Sequence, residues 1–220
     1  MNFIIEFRGS IMKIAVICAN GRIGSLIVDE IIARGLEVTA IARSKNKTIA
    51  KNFIQKDLFD LTAQDINDFD VIIDAFGTWT LETLGLHDKS LQYLCDLVSG
   101  KNTRLIVVGG AGSLYLDKTH EMQVMQMDNF PEIFKPLAQN MGKALENLRL
   151  RSDVNWTYIS PACDFQAEAA RTGKYILGGE ELIVNAQGES IISYADYAIA
   201  VVDEVIKAEH NKERISVVKA

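Results

Sequence analysis

The stretch VICANGRIGS, residues 16–25, decides how this chain folds. It lies at the end of an apolar run, KIAVICA at 13–19, which is typical of a parallel strand that is covered on both faces. Gly21 and Gly24 follow the run, and isoleucines then recur every four residues over 23–34, the spacing of an amphipathic helix. The stretch therefore predicts a buried strand that turns sharply into a helix.

Apolar strands and helices alternate along the rest of the chain. Strands are predicted at 37–43, 52–56, 70–77, 104–112, 155–162 and 214–219, and helices at 84–100, at 139–152 and from Ser193, where Ser193 and Asp196 match a capping box. Because parallel crossovers are right-handed, this order predicts an α/β fold with a Rossmann-like, doubly wound parallel sheet. We expect one domain, 12–220, that includes a small C-terminal substrate-side region of short strands. Residues 1–11 are interpreted as an N-terminal extension, with an edge strand as the alternative.

Composition excludes several classes of function. The formal net charge is −6 and the pI is near 5.2, which argues against a nucleic-acid partner. No apolar run approaches the roughly 20 residues that span a bilayer, so no membrane partner is expected. The three cysteines and three histidines show no metal-ligand spacing, so we predict no metal site. The few scattered cysteines favour reduced thiols and a cytoplasmic protein.

The turn at residues 20–24 is suited to binding phosphate. A doubly wound sheet binds its ligand beyond the carboxyl ends of its strands, and NGRIG opens a helix at the first of these ends. Gly21 lets the backbone approach a pyrophosphate, Gly24 lets the helix pack close to the strand, and the helix dipole favours the negative charge. A plain strand-to-helix turn is the alternative.

The end of the second strand indicates which dinucleotide binds. A site that prefers NAD places an acidic residue there, whereas this chain has Arg43 followed by Ser44 and Lys45. Because a guanidinium pairs with a 2′-phosphate and stacks on adenine, we predict NADP, with NAD left open. A solvated basic turn is the alternative. Asp57, after the third strand, is expected near the adenine.

Three segments resemble a known family. KIAVICANGRIGSLIVDEIIARGLEVTAIAR at 13–43, VVGGAGSLYLD at 107–117 and RTGKYILGGEELIVNAQGESIISYADYA at 171–198 are similar to the atypical short-chain dehydrogenases with NmrA-like NAD(P) binding. Within that family they resemble the bacterial NADH-flavin-reductase-like branch, which is akin to biliverdin IXβ/flavin reductase. The resemblance covers about 12–218. It implies hydride transfer from NAD(P)H to a small-molecule acceptor, a flavin or a quinone-like compound; a homodimer is left open.

The resemblance also implies a set of site residues. By position, the cofactor would be bound by Asn20, Gly21, Arg22, Ile23, Arg43, Ser44, Ala75, Phe76, Gly77, Gly109, Gly110, Pro161 and Ala162, with Ser113 as the candidate catalytic residue near the nicotinamide. From the residue types alone, Trp79, Met122 and Met125 are candidates for the acceptor pocket, because aromatic rings stack on flat acceptors and methionines adapt to them. Core packing or loop anchoring is the alternative for Trp79, and an ordinary amphipathic turn is the alternative for the two methionines.

Two departures from the family pattern bear on function. The usual G-A-T-G-x-I-G appears here as C-A-N-G-R-I-G, so Cys18 would be strained if its position requires positive φ. The Tyr-x-x-x-Lys pair of the wider superfamily is absent, which disfavours alcohol–ketone chemistry. A non-catalytic NmrA-like redox sensor is therefore the competing hypothesis, and a nucleotide-sugar epimerase or dehydratase is a third.

Overall fold

The computed structural model describes residues 6–7 and 10–220. Strands and helices follow one another largely as the periodicity predicts. The strands are β1 Glu6–Phe7, β2 Ser10–Ile11, β3 Ile14–Ile17, β4 Val38–Ala42, β5 Asn52–Gln55, β6 Val71–Asp74, β7 Arg104–Val108, β8 Asn155–Ser160, β9 Asp164–Gln166, β10 Tyr175–Gly178, β11 Ile191–Ser193 and β12 Glu213–Lys219. The helices are α1 Arg22–Ala33, α2 Ala63–Ile66, α3 Leu86–Val98, α4 Lys135–Arg149 and α5 Tyr194–Lys207.

Eight strands form the central sheet, in the order β10-β12-β8-β7-β6-β3-β4-β5. Neighbouring strands are parallel except at one edge, where β10 pairs antiparallel with β12. After β3 the chain adds β4 and β5 on one side, and it then returns to add β6 and the later strands on the other. The prediction of a doubly wound parallel sheet is confirmed.

Helices cover both faces of the sheet. On one face α1 and α5 pack together, and buried residues such as Ile27, Ile31 and Val201 fill the space beneath them. On the other face α3 and α4 pack against each other over Leu94 and Leu148. This two-sided burial explains why β3, β6 and β7 are nearly all apolar in sequence.

Several boundaries of strands and helices at the carboxyl edge of the sheet differ from those predicted from the sequence. β6 ends at Asp74 and β7 at Val108, several residues before the predicted ends, because the following residues turn away as loops. α4 begins at Lys135, four residues earlier than predicted, since Pro136 is tolerated in the first turn of a helix. These changes lengthen the loops in which a ligand site is expected.

Within the part of the chain that the structure describes, the short strands β1 and β2 pair with each other and not with the central sheet. The remaining residues of the predicted 1–11 extension lie outside the described part of the chain. The domain boundary at residue 12 stays a prediction.

The capping box predicted at the start of α5 is half formed. The Ser193 hydroxyl accepts a hydrogen bond from the Asp196 amide at 3.0 Å, as predicted. The Asp196 carboxylate is instead used by the preceding loop, where it accepts from the amides of Thr172 at 2.9 Å and Gly173 at 2.8 Å. Asp196 therefore attaches the loop that contains Thr172 and Gly173 to α5.

Among the described residues, none of the helices combines the length and apolar character that crossing a membrane would need.

Candidate functional site

The strand order places a crevice between β3 and β6. These two strands are neighbours, but the connections that leave them run to opposite sides of the sheet. Such a reversal opens a crevice beyond the carboxyl ends of the strands, which is where α/β sheets bind ligands. Because the strands are parallel, the loops that follow β3, β4, β6, β7 and β8 all lie at this edge. Most of the predicted cofactor residues belong to these loops.

The turn after β3 is held tightly by its own backbone. Cys18 adopts a φ of 59°, the left-handed conformation that favours glycine. The backbone strain that the sequence analysis made conditional on a positive φ is therefore present at this position. The Gly21 amide donates to the Cys18 carbonyl at 2.9 Å. A Cβ at Gly24 would lie 2.7 Å from the same carbonyl oxygen, which explains why α1 needs glycine there. Burial, together with Asp74 and Asp57, raises the pKa of the Cys18 thiol to about 12, so the thiol is protonated and unreactive.

The first turn of α1 offers its amides to an anion. Gly21 is the N-cap residue, with extended backbone and an exposed position. Within the described residues no side chain caps this helix, and its first turn contains no acidic residue. A helix N-terminus with these properties suits a pyrophosphate, since the amides and the dipole both favour negative charge. The geometry of the chain therefore fits the phosphates of a dinucleotide.

Asn20 links the loop after β3 to the loop after β4. Its Nδ2 donates to the Ser44 hydroxyl at 3.0 Å and to the Lys45 carbonyl at 2.8 Å, and its Oδ1 accepts from the Lys47 amide at 2.9 Å. The side chain is thus engaged with the protein, whereas the sequence predicts it beside the pyrophosphate. Its observed contacts fix the position of the segment that begins at Arg43.

Arg43 lies exposed at the end of β4, and within residues 12–220 it forms no ion pair. Arg22, also exposed, is likewise without an ion pair in that part of the chain. Asp57 is close enough to influence Cys18, and its carboxylate accepts from the Phe59 amide at 3.0 Å. The arrangement leaves the Arg43 guanidinium available to a phosphate.

Tight packing surrounds the loops after β7 and β8. A Cβ at Gly109 would lie 2.2 Å from Cε1 of Tyr158, so only glycine fits at that position. The next amide, that of Gly110, donates to the Tyr158 hydroxyl at 3.1 Å. Pro161 and Ala162 are buried after β8. Gly109 is therefore buried against Tyr158, whereas Gly110 is partly exposed at this edge.

A small pocket, open on one side, lies beneath these loops, and it is called the cavity below. It lies between α3 and α4, and both helices and three strands contribute to it. Its polar lining residues are Asp74, His87, Ser90 and Tyr158, and its other lining residues are Phe76, Leu91, Val107, Val108, Met141 and Ala144. Phe76, which the sequence predicts beside the ribose, packs edge-on against His87 with 5.5 Å between ring centroids.

The cavity contains ionisable groups whose pKa values are shifted by burial. Asp74 is only 4% exposed, and burial raises its pKa to about 6, although the Phe76 amide donates to its Oδ1 at 3.0 Å. Burial lowers the pKa of His87, whose Nε2 lies 3.1 Å from the Thr78 carbonyl. Burial also raises the pKa of Tyr158 to about 12. Burial thus disfavours the charged form of all three groups.

Ser113, the candidate catalytic residue, lies in a different environment. It is 5% exposed, and its hydroxyl and carbonyl both accept from the Arg214 guanidinium, at 3.0 and 2.8 Å. Arg214 has a fully buried side chain, and it also pairs with the Glu180 carboxylate and lies 5.6 Å from the Tyr115 ring centroid. The structure thus joins Ser113 to the C-terminal strand, and its catalytic role stays a prediction.

Of the three residues predicted to line the acceptor pocket, two are exposed and one is half-buried. Trp79 is 71% exposed in the loop after β6, and Met122 is 49% exposed in the loop after β7. Met125 is half-buried near Gly112 and Gly142, so it packs between its loop and α4. Trp79 and Met122 are thus exposed to solvent, whereas Met125 supports the loop.

The sequence did not single out four residues that line the cavity: Asp74, His87, Met141 and Tyr158. One signal was available, because Asp74 lies inside the apolar stretch DVIIDAFG at 70–77, where a charged group is costly. The other three come from α3, α4 and β8, and their convergence depends on tertiary packing. The described residues contain no cluster of histidine, cysteine and acidic side chains that could bind a metal ion.

Comparisons with known proteins agree with this geometry. Residues 18–205 match a family model described as NAD(P)H-binding. A structure from Streptococcus pneumoniae TIGR4, named a "putative NADH-flavin reductase", is 51% identical, covers 95% of this chain and 100% of its own, and has a TM-score of 0.93. The protein YwnB of Bacillus subtilis (strain 168) is 43% identical over 210 residues, 94% of this chain and 98% of its own.

A structure of a "putative epimerase" from Bacteroides thetaiotaomicron is 32% identical, covers 94% of this chain and 97% of its own, and has a TM-score of 0.82. Proteins that share this fold therefore carry names from more than one reaction class, and the fold alone does not choose between them. The family match and the geometry of the crevice both point to a nicotinamide dinucleotide as the cofactor. The chain belongs to the NAD(P)H-binding family.

Proposed function

We propose that this protein is an NAD(P)H-dependent reductase that acts on a flavin or quinone-like acceptor and prefers NADPH. The observation that carries the proposal is the uncapped N-terminus of α1 beside the unpaired Arg43, at the carboxyl edge of a doubly wound sheet. The similarity to a protein named as an NADH-flavin reductase supports the reaction class. A bound nicotinamide dinucleotide supplies the hydride.

The chain's own residues bind and orient the reactants. The amides at the start of α1 would hold the pyrophosphate, and Arg43 would pair with the 2′-phosphate. The partly exposed Gly110 would border the nicotinamide, and Gly109 packs on Tyr158 directly before it. Holding two flat rings in contact and excluding water are the main catalytic tasks. This division of labour is consistent with the absence of a Tyr-x-x-x-Lys pair.

The acceptor would bind above the crevice, between the loops after β6 and β7. Trp79 offers an exposed aromatic ring, and Met122 offers an adaptable apolar side chain. A flat, heteroaromatic or quinone-like compound suits such a surface. A homodimer and a cytoplasmic location stay predictions.

The test is NADPH oxidation by the purified protein, followed by absorbance, with FMN, riboflavin and a set of quinones. We expect oxidation that depends on the acceptor and that exceeds the rate without protein. Dinucleotide binding without turnover on any acceptor would instead favour the redox-sensor hypothesis. Turnover of a nucleotide sugar with no flavin or quinone reduction would favour the epimerase class.

Arg43→Ala tests the choice of dinucleotide. Losing a charge-assisted contact to phosphate costs about 1.5–3 kcal/mol, so NADPH affinity should fall about 10- to 100-fold while NADH affinity stays unchanged. Fluorescence titration with both dinucleotides measures this difference, with Lys51→Ala, another exposed cation, as the matched control. Tighter binding of NADH than NADPH by the unmodified protein would refute the preference, as would an unchanged NADPH affinity in the variant.

A further inference from the structure

Asp74 occupies the strand end at which the crevice opens. It is the last residue of β6, and it is paired in register with Ile17, the last residue of β3. Because side chains alternate along a strand, Asp74 lies on the face covered by α3 and α4, where Ile72 also packs. It contributes to the cavity that lies beneath Gly109 and Gly110. The carboxyl group therefore lies at the same edge of the sheet as the turn after β3, and it borders the cavity.

The groups around Asp74 leave its charge uncompensated. The turn after β3 contributes the Cys18 thiol, α3 contributes His87 and the Cys95 thiol, and β8 contributes the Tyr158 phenol. Burial lowers the pKa of His87 and raises the pKa values of the two thiols and the phenol, so all four are neutral near pH 7. α4 adds only Met141 and Ala144 to the cavity, and β7 adds two valines.

Few hydrogen bonds stabilise an ionised Asp74. The Phe76 amide donates to Oδ1, and within the described residues no cation pairs with the carboxyl group. The Tyr158 hydroxyl accepts from the Gly110 amide, so its own proton remains available to a further acceptor in the cavity. A buried carboxyl group with one amide donor and no cation retains its proton more strongly than an exposed one.

We propose that Asp74 is the proton donor of the reductase, and that its carboxyl group protonates the acceptor as the acceptor is reduced. The proposal rests on the proposed function. The acceptor gains an electron pair with the transferred hydride and becomes more basic. The O–H bond of Asp74 then breaks, an N–H or O–H bond forms on the acceptor, directly or through one water, and the carboxylate that remains regains a proton from solvent. A proton donor at this place implies that the substrates are acceptors that take up a proton when they are reduced, as flavins and quinones do.

The experiment compares the unmodified protein with Asp74→Asn in rapid-mixing kinetics of acceptor reduction, in H₂O and in D₂O. General acids typically contribute about 10²- to 10⁴-fold, so we expect the variant to be slower by at least about 100-fold. NADPH affinity should stay within about threefold, because the donor acts on the acceptor. The solvent isotope effect of the unmodified protein should disappear in the variant. Asp68→Asn, at an exposed aspartate, is the matched control.

A second readout does not depend on turnover. Infrared difference spectra between the unmodified protein and Asp74→Asn at pH about 5 should show the carbonyl band of a protonated carboxylic acid, and the band should disappear toward pH about 8. If the variant does not fold, the solvent isotope effect and the fall in rate with pH in the unmodified protein decide the question. The absence of the acid band, or an unchanged rate and isotope effect in a folded variant, overturns the assignment and leaves the reductase proposal intact. Absence of turnover in the unmodified protein refutes both.

Discussion

The burial of Asp74 should make the protein less stable as the pH rises from about 4 to about 6. Burial raises the pKa of this carboxyl group from 3.8 to about 6 in the folded protein, whereas in the unfolded chain it stays near its ordinary value. The folded state therefore binds the proton more tightly, and the contribution of this group to stability is fully present below pH about 4 and is lost by pH about 6. At about 1.4 kcal/mol per pH unit, the loss is about 3 kcal/mol.

Asp74→Asn removes this titration while keeping an oxygen that can accept from the Phe76 amide. Urea unfolding of both proteins at pH about 4 and pH about 8 measures the change, and the quantity of interest is the difference between the two pH values. All other titrating groups are shared, so they cancel in the comparison. Between these pH values the unmodified protein should lose about 3 kcal/mol more than the variant does. Parallel pH profiles for the two proteins would refute the reasoning.

Two further substitutions test the backbone of the crevice, both measured by urea unfolding. Cys18→Gly should stabilise the protein by about 0.5–1 kcal/mol, because relief of the left-handed conformation exceeds the entropy that glycine loses on folding. Cys18→Ala keeps the strain, so equal stability of the two variants would contradict the explanation. Gly109→Ala should destabilise by about 1–3 kcal/mol, since its Cβ would overlap the Tyr158 ring. Gly77→Ala is the control, as no heavy atom lies within 4 Å of its added Cβ.

The fold could be predicted from the sequence because its elements are local. Apolar runs of strand length and four-residue spacings identify β3, α1 and their neighbours without knowledge of tertiary contacts. The position of Arg43 and the role of Gly24 follow from the same order of elements, since they lie directly after a strand or inside the first helical turn. The conformation of Cys18 could be stated only as a condition, because φ depends on the closing hydrogen bond from Gly21.

The cavity could not be predicted because its residues meet only through packing. His87 and Tyr158 are 71 positions apart in the chain, and each alone resembles an ordinary core residue of a helix or strand. Ser113 illustrates the opposite problem, since its place after β7 suggests a ligand contact, but Arg214, distant in sequence, uses its hydroxyl. Local patterns give no information about such long-range partners.

The Arg214 contacts have a consequence for the order in which the protein matures during synthesis. The strands that form the crevice, β3, β4 and β6, leave the ribosome more than a hundred residues before Arg214 on β12. A strand can pair only with segments that have already been synthesised, and during synthesis the N-terminal part of a chain is available first. Until β12 docks, the loop around Ser113 and the segment at Glu180 lack the guanidinium that joins them. The part of the sheet that we propose to bind phosphate can thus pair early, whereas the contacts that join Ser113 to Glu180 are completed only when the final strand is in place.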